Sequence, residues 1–398
     1  MVVGRSTDFH CLTYLPYSYT GRGPAESSIQ ILKAFGAAGL DVTLFLPRFR
    51  RALPDNINVV QSLPPGLRRL PWSLVGPLGQ RLLDQSFIRA MGRSDPKKTI
   101  LYFWPDPPIE LLSQARARGF TIVREMINSA CATSRPILDE AYARQGLAPS
   151  HRVTAEKVAA ENAELALYDH IFVSNPEVEK SLVTLGIAPE RIWSTTFGWQ
   201  PERFAGEAAS RPADSPLRVA FVGSIGIRKG VPELIAAWEQ AGVEGELLLA
   251  GGIEDDCREH VEPHFGRNGI RHLDYVEDIG ALYRSCDFFV FPTLEEGGPQ
   301  VTYEAAGCGL PIIATPMGAA RLVENDVTGL IVPPGDTAAL AGAIRRLAGD
   351  RPTRERMGAA ARAAAEKFRY DVVGRQRADY LIEALRKRSR QNVELARI

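Results

Sequence analysis

Two glutamates separated by seven residues, Glu296 and Glu304, stand out in the stretch DFFVFPTLEEGGPQVTYEAAGCGLPIIAT at 287–315. A carboxylate accepts two hydrogen bonds from a vicinal diol, so a pair at this spacing suits a polyhydroxylated ligand. Glu304 is placed toward the near part of such a ligand and Glu296 toward the far part. Alone, each glutamate reads as a solvated side chain; the surrounding string is what makes the pair informative. A second group, Arg228 and Lys229 in VAFVGSIGIRKG, lies just before an apolar helix, VPELIAAW. Two cations beside a helix N-terminus suit a diphosphate. A third, Gly21-Arg22-Gly23, sits in the first strand-to-helix loop, where backbone can approach a phosphate closely.

These residues need elements to carry them. FFVF at 288–291 reads as a short buried strand that Pro292 stops. A loop with Glu295, Glu296, Gly297 and Gly298 follows, Pro299 suits the first turn of the next helix, and Gly309 suits its C-terminal cap. The same alternation runs through the chain. Strands are expected at 9–16, 41–47, 98–105, 120–126 and 169–175, with a helix at 27–39 after the first. A second unit begins at 217–223 and continues through 246–251, the 270s, 288–291, 312–315 and 329–333. The polar stretch 207–218 reads as a linker. The expected fold class is therefore α/β, two doubly wound Rossmann-like domains: 1–205, then 206–368, with 369–398 as a terminal helix. Ligands in such sheets bind at the carboxyl ends of the strands, where Glu295 to Gln300 fall.

The PTLEEGG and EAAGCGLPIIAT motifs resemble those of the retaining glycosyltransferases of family 4, which have the GT-B fold. The likeness is strong over 217–335, weaker over 99–205 and architectural before that. It implies two domains facing across a cleft, with the terminal helix crossing back to the first. It implies a nucleoside diphosphate sugar as donor, held mainly by the second domain. It gives Glu304 to the donor ribose and Glu296, the catalytic candidate, to the transferred sugar. Donor-binding positions by the same likeness are Gly21, Gly23, Ser224, Arg228, Lys229, Gly298, Gln300 and Val301. The reaction implied is transfer of a hexosyl unit to a glycan, lipid-linked or small-molecule acceptor, as in polysaccharide biosynthesis, by same-face attack assisted by the leaving phosphate. No cofactor and no catalytic metal are implied, and Asp255-Asp256 is adjacent rather than D-x-D. The chain departs from the family pattern in four places. Gln200 stands where an aspartate is common. Ser224 stands where an arginine is common. Pro299 removes a loop amide. Asn128, Ser129 and Cys131 occupy the loop where many relatives carry a histidine. The rival reading is a catalytically silent GT-B partner or scaffold protein. A nicotinamide enzyme is disfavoured, because Glu26 holds the place of the third fingerprint glycine.

Composition sets the remaining bounds. Lys plus Arg equals Asp plus Glu at 47 each, so no general attraction to nucleic acid is expected. Residues 48–98 hold ten Lys/Arg against three acids, a basic segment that suits peripheral contact with an anionic membrane or an acidic acceptor. A solvated loop and helix face is the plainer reading of it. Five cysteines at wide spacing argue against disulfide or zinc frameworks. The first residues lack a signal pattern and no run approaches ~18 apolar residues, so a cytoplasmic protein, or one on the inner membrane face, is expected.

Overall fold

A computed structural model describes residues 8–206 and 215–395. Most of the expected linker, 207–214, and the first seven residues lie outside it. The first domain runs β1 (His10–Tyr14), α1 (Gly23–Ala37), β2 (Asp41–Leu46), β3 (Asn58–Gln61), α2 (Trp72–Met91), β4 (Thr99–Phe103), α3 (Ile109–Ala117), β5 (Thr121–Met126), α4 (Cys131–Arg144), α5 (Ala155–Leu165), β6 (His170–Val173), α6 (Pro176–Thr184) and β7 (Ile192–Ser194). The second runs β8 (Leu217–Val222), α7 (Val231–Ala241), β9 (Gly245–Ala250), α8 (Arg258–Val261), β10 (Ile270–His272), α9 (Ile279–Arg284), β11 (Phe288–Phe291), α10 (Gln300–Gly307), β12 (Ile312–Ala314), α11 (Pro316–Ala319), β13 (Gly329–Ile331), α12 (Thr337–Gly349) and α13 (Arg351–Ala365). The last helix is α14 (Tyr370–Leu395).

Both sheets are parallel throughout. Their strand orders are β3-β2-β1-β4-β5-β6-β7 and β10-β9-β8-β11-β12-β13. The central strands, such as Thr99–Phe103 and Phe288–Phe291, are buried along their whole length because helices cover both faces. Each order reverses between two neighbours, β1 with β4 and β8 with β11, and a crevice opens beyond such a point. The expected two-domain Rossmann-like architecture is therefore present. α14 returns to the first domain, where Val373, Leu381 and Leu385 join the core formed by α1, β1, β2 and β4.

Three local expectations need correction. The first helix starts at Gly23 rather than at 27, because Pro24 fits the first helical turn. Pro299 is the residue before α10, not within it; the helix begins at Gln300. The basic segment 48–98 is not one surface but holds the edge strand β3 and the 20-residue α2. Its dense Pro and Gly, including Pro77 inside the helix, hide the helical period. The expected cap at Gly309 is present: its φ is +89°, and Leu310 N–H returns to the Ala305 carbonyl.

Candidate active site

The loops after β8 and β11 touch at the second sheet's reversal point. Gly230 has φ +67°, and a Cβ there would lie 2.3 Å from the Pro292 carbonyl oxygen. Only glycine allows that contact and that backbone together. Leu294 N–H donates to the Arg228 carbonyl at 2.9 Å, and Thr293 Oγ1 donates to the same oxygen at 3.3 Å. The two stretches chosen from sequence as separate motifs are thus one stitched structure.

Its centre is charged. Lys229 Nζ donates to Glu296 Oε2. Only 9% of the Lys229 side chain and 12% of the Glu296 side chain are exposed. Burial pulls the Lys229 ammonium below its ordinary pKa, with Glu296 acting against the shift. Burial alone would raise Glu296, but Lys229 and then Arg228 hold its carboxyl below the usual range. The other carboxylate oxygen of Glu296 accepts the Gly297 and Gly298 amides at 3.0 and 3.4 Å. Arg228 points instead at Glu295, donating to its carbonyl at 3.2 Å and to Oε2 at 3.4 Å. Lys229 also lies 5.1 Å from the Phe291 ring centroid. The pair is a cation and an anion in direct, largely buried contact.

The first domain closes over this loop. Ser129 N–H and Oγ donate to Glu295 Oε1 at 3.1 and 2.8 Å. A Cβ at Gly298 would lie 1.9 Å from the Phe197 ring, so a side chain is excluded there. Gln300 bridges the domains, donating from Nε2 to Ser27 Oγ on α1 and accepting from Tyr370 Oη on α14, both at 2.8 Å. Gly21 and Gly23 flank Arg22, which precedes α1. Arg22 reaches across the cleft to donate to Tyr275 Oη at 2.9 Å. Next to Glu295 and Arg228 opens a cleft of about 850 Å³, lined by Tyr17, Asp106, Asn128, His151, Lys157 and Glu254 among others.

Glu304 lies apart from Glu296. Its Oε2 accepts from Tyr283 Oη at 3.4 Å. Burial raises its carboxyl to about 7, with Arg203 opposing the shift. Val301 sits in the first turn of α10, half-buried against the second-domain core. Ser224 is half-exposed in the loop after β8.

Comparison with known proteins bears on the chemistry. The sequence profile of the family described as Glycosyl transferases group 1 matches residues 216–350. A D-inositol 3-phosphate glycosyltransferase of Kribbella flavida is 26% identical over 396 aligned positions, covering 90% of each chain. One of the same description from Xylanimonas cellulosilytica is 28% identical over 255 positions, 58% of this chain and 61% of its own length. The match to the group 1 glycosyltransferases thus covers the second domain, and the similarity to a named glycosyltransferase extends along most of the chain. The fold is shared with a sucrose-phosphate synthase of Thermosynechococcus elongatus, with TM-score 0.73, 20% identity and coverage of 95% and 99%. It is shared also with HepE of Anabaena solved with UDP-glucose, with TM-score 0.63, 18% identity and coverage of 94% and 99%. Both are GT-B structures, as is the present one.

Within this fold, the residues chosen from sequence separate into three groups. Arg228, Lys229, Glu296 and Gly298 meet at one point, although Lys229 alone contacts Glu296 closely and Arg228 serves Glu295. Gln300, Val301 and Glu304 follow along α10. Gly21 and Gly23 stand in the first domain on either side of Arg22, which reaches Tyr275. Sequence reading missed Glu295 as the interdomain contact, because beside Glu296 nothing distinguishes the two. It also missed His151, which lines the cleft from the segment before α5 rather than from the 128–131 loop and pairs with Asp139 at 2.9 Å. Burial pushes the Cys131 thiol up to about 12, which removes it as a thiolate nucleophile.

Proposed function

We propose that this chain transfers a hexosyl unit from a nucleoside diphosphate sugar to an acceptor hydroxyl, with retention at the anomeric carbon. The observation that supports it most is the buried Lys229–Glu296 pair at the sheet reversal, whose chain neighbours Arg228 and Glu295 line the interdomain cleft. The donor diphosphate takes over as counter-ion to Lys229, with Arg228 alongside. Glu296, released, turns to the sugar. Glu304 accepts the ribose hydroxyls, and Gln300 and Val301 set the first turn of α10 against the diphosphate. Gly298, Ser224, Gly21 and Gly23 let backbone come close. The bond from the anomeric carbon to phosphate oxygen breaks, and one to the acceptor oxygen forms on the same face. The acceptor proton passes to the departing phosphate oxygen. Fixed cations aimed at that oxygen stabilise the charge where it develops. No metal is assigned a role. The acceptor enters through the cleft beside His151 and Lys157, and the reaction is placed in the cytoplasm.

A thermal-shift screen against UDP, GDP and ADP and their sugars tests this. The UDP and UDP-glucose complexes of the Anabaena structure make uridine nucleotides the first choice. The expected result is stabilisation by one nucleotide series, and slow hydrolysis of its sugar. Failure of every series to bind would favour a silent GT-B partner.

A further inference from the structure

The basic segment divides on folding. Arg93 and Lys98 end up beside His10 and Thr99, at the amino ends of the first sheet's strands. Arg50, Arg51 and Arg69 follow β2 and β3, at the carboxyl ends of those strands. At this second end lies an apolar patch. Among the described residues, four of the ten exposed large apolar side chains fall within 70–78: Leu70, Trp72, Leu74 and Leu78. Leu74 is 71% and Leu78 is 45% exposed.

The patch is built rather than frayed. On α2, Val75, Gly79, Leu83 and Phe87 recur every four residues and are buried. Leu74, Leu78 and Arg81 recur on the opposite side and are exposed. Arg48, only 5% exposed, donates from Nη1 to the Arg68 and Leu70 carbonyls at 2.9 and 2.5 Å. It also lies 5.6 Å from the Trp72 ring centroid. Its charge is thus spent on holding the patch in place. Outside it stand Arg50, Arg51, Arg69 and Arg81, all exposed, and no acid occurs between residues 56 and 83.

We propose that this end of the first domain docks on an anionic phospholipid bilayer, with Leu74, Leu78 and Trp72 entering the interface and the four arginines meeting head groups. A rigid apolar stripe rimmed by arginine has the composition of an interfacial segment. Charge decides against a second copy of the chain as occupant, because a two-fold contact would set this arginine cluster against itself. The surface lies on the cleft side of the sheet, so it would bring the acceptor opening close to a membrane. It thereby deepens the transferase reading by favouring a lipid-linked acceptor.

The test is co-sedimentation of the full chain with vesicles of phosphatidylcholine alone or with one quarter phosphatidylglycerol, at 50 and 500 mM salt. Binding is expected only to the anionic vesicles and only at low salt. Leu74→Asp with Leu78→Asp should abolish it, and Arg69→Glu with Arg81→Glu should weaken it roughly thirtyfold or more. Arg93→Glu with Lys97→Glu, at the far end, should leave it within about twofold. All three variants alter exposed side chains, and unchanged UDP binding and melting would confirm that they fold. Equal binding to both vesicle types, no binding, or loss in the far-end variant would overturn the proposal. So would a concentration-dependent dimer that Leu74→Asp dissolves. No sugar donor enters the assay, so its failure leaves the transferase reading intact, and failure of nucleotide binding leaves this one.

Discussion

Two buried ion pairs, one in each domain, use the same chemistry for different ends. Glu125 and Arg377 are both fully buried and join β5 to α14. Arg377 Nη2 and Nε donate to the two Glu125 oxygens at 2.7 and 3.1 Å, Tyr102 Oη adds another donor, and Nη1 caps the Thr196 carbonyl at 2.8 Å. Aromatic rings of Phe172 and Phe197 lie within 6 Å of the guanidinium. Every group is satisfied and nothing can replace either partner, so this pair fastens the terminal helix to the first sheet. Lys229 and Glu296 are held by fewer partners, between glycines, one residue from Arg228 and Glu295, which line a cleft. In the proposed function an incoming anion replaces Glu296 at Lys229. Burial alone therefore does not mark a functional charge; burial beside exchangeable space does.

The largest expected effect breaks the structural pair. Arg377→Ala leaves Glu125 buried and unpaired, which costs about 3–5 kcal/mol and lowers Tm by roughly 6–15 °C. Arg377→Met with Glu125→Leu should recover most of that loss. Calorimetric melts would show both, and nucleotide affinity below the melt should not change. If the double variant melts as low as the single one, the pair is not what fastens α14.

Next in size is Glu296→Gln. Turnover should fall about 10²–10³-fold, on the scale of removing a group that acts on developing charge. Lys229→Ala should weaken the donor nucleotide by about 1.5–3 kcal/mol, the range for a charge-assisted hydrogen bond. Initial rates with the identified donor and titration with its free diphosphate measure the two effects separately.

Smaller still is the effect at Glu304, and it carries a pH signature. Glu304→Gln should weaken nucleotide by about 1–3 kcal/mol if the ribose contact is buried. The carboxyl sits at about 7 in the folded protein, raised by burial. Only its ionised form accepts two hydroxyls, so nucleoside affinity should rise about tenfold from pH 6 to pH 8. Uridine is the probe, because a terminal phosphate titrates in the same range. The sign for stability is opposite. A raised folded pKa gives stability that is full below the unfolded value near 4.5 and is lost as pH rises through about 7. Glu304→Gln should flatten both profiles. A wild-type uridine affinity that does not vary with pH would remove Glu304 from the ribose.

The second domain was the more legible of the two. FFVF, its stop at Pro292, the LEEGG loop and the Gly309 cap follow from local rules, and the structure reproduces them within a residue or two. The charged residues there sit next to the turns that position them, so short motifs suffice. The first domain hides more. α2 carries Pro77 and is flanked by prolines, which suppress the helical pattern that tertiary packing nonetheless imposes. His151 meets the cleft only because α4 and the segment before α5 fold together, a juxtaposition without a local signal. The roles of Glu295 and Arg228 depend on which of two adjacent like charges faces the other domain, which sequence does not encode locally.

In the proposed function the donor diphosphate takes the place of Glu296 at Lys229. Titration calorimetry of free UDP, or of the diphosphate the screen selects, against wild type, Lys229→Ala and Glu296→Gln at pH 8 tests it most directly. The two variants should move in opposite directions: Lys229→Ala binds about 10- to 100-fold more weakly, while Glu296→Gln, freed of the competing carboxylate, binds as tightly as wild type or up to about tenfold tighter. If Glu296→Gln weakens the diphosphate as much as Lys229→Ala does, or if neither changes it, the exchange at this pair does not occur.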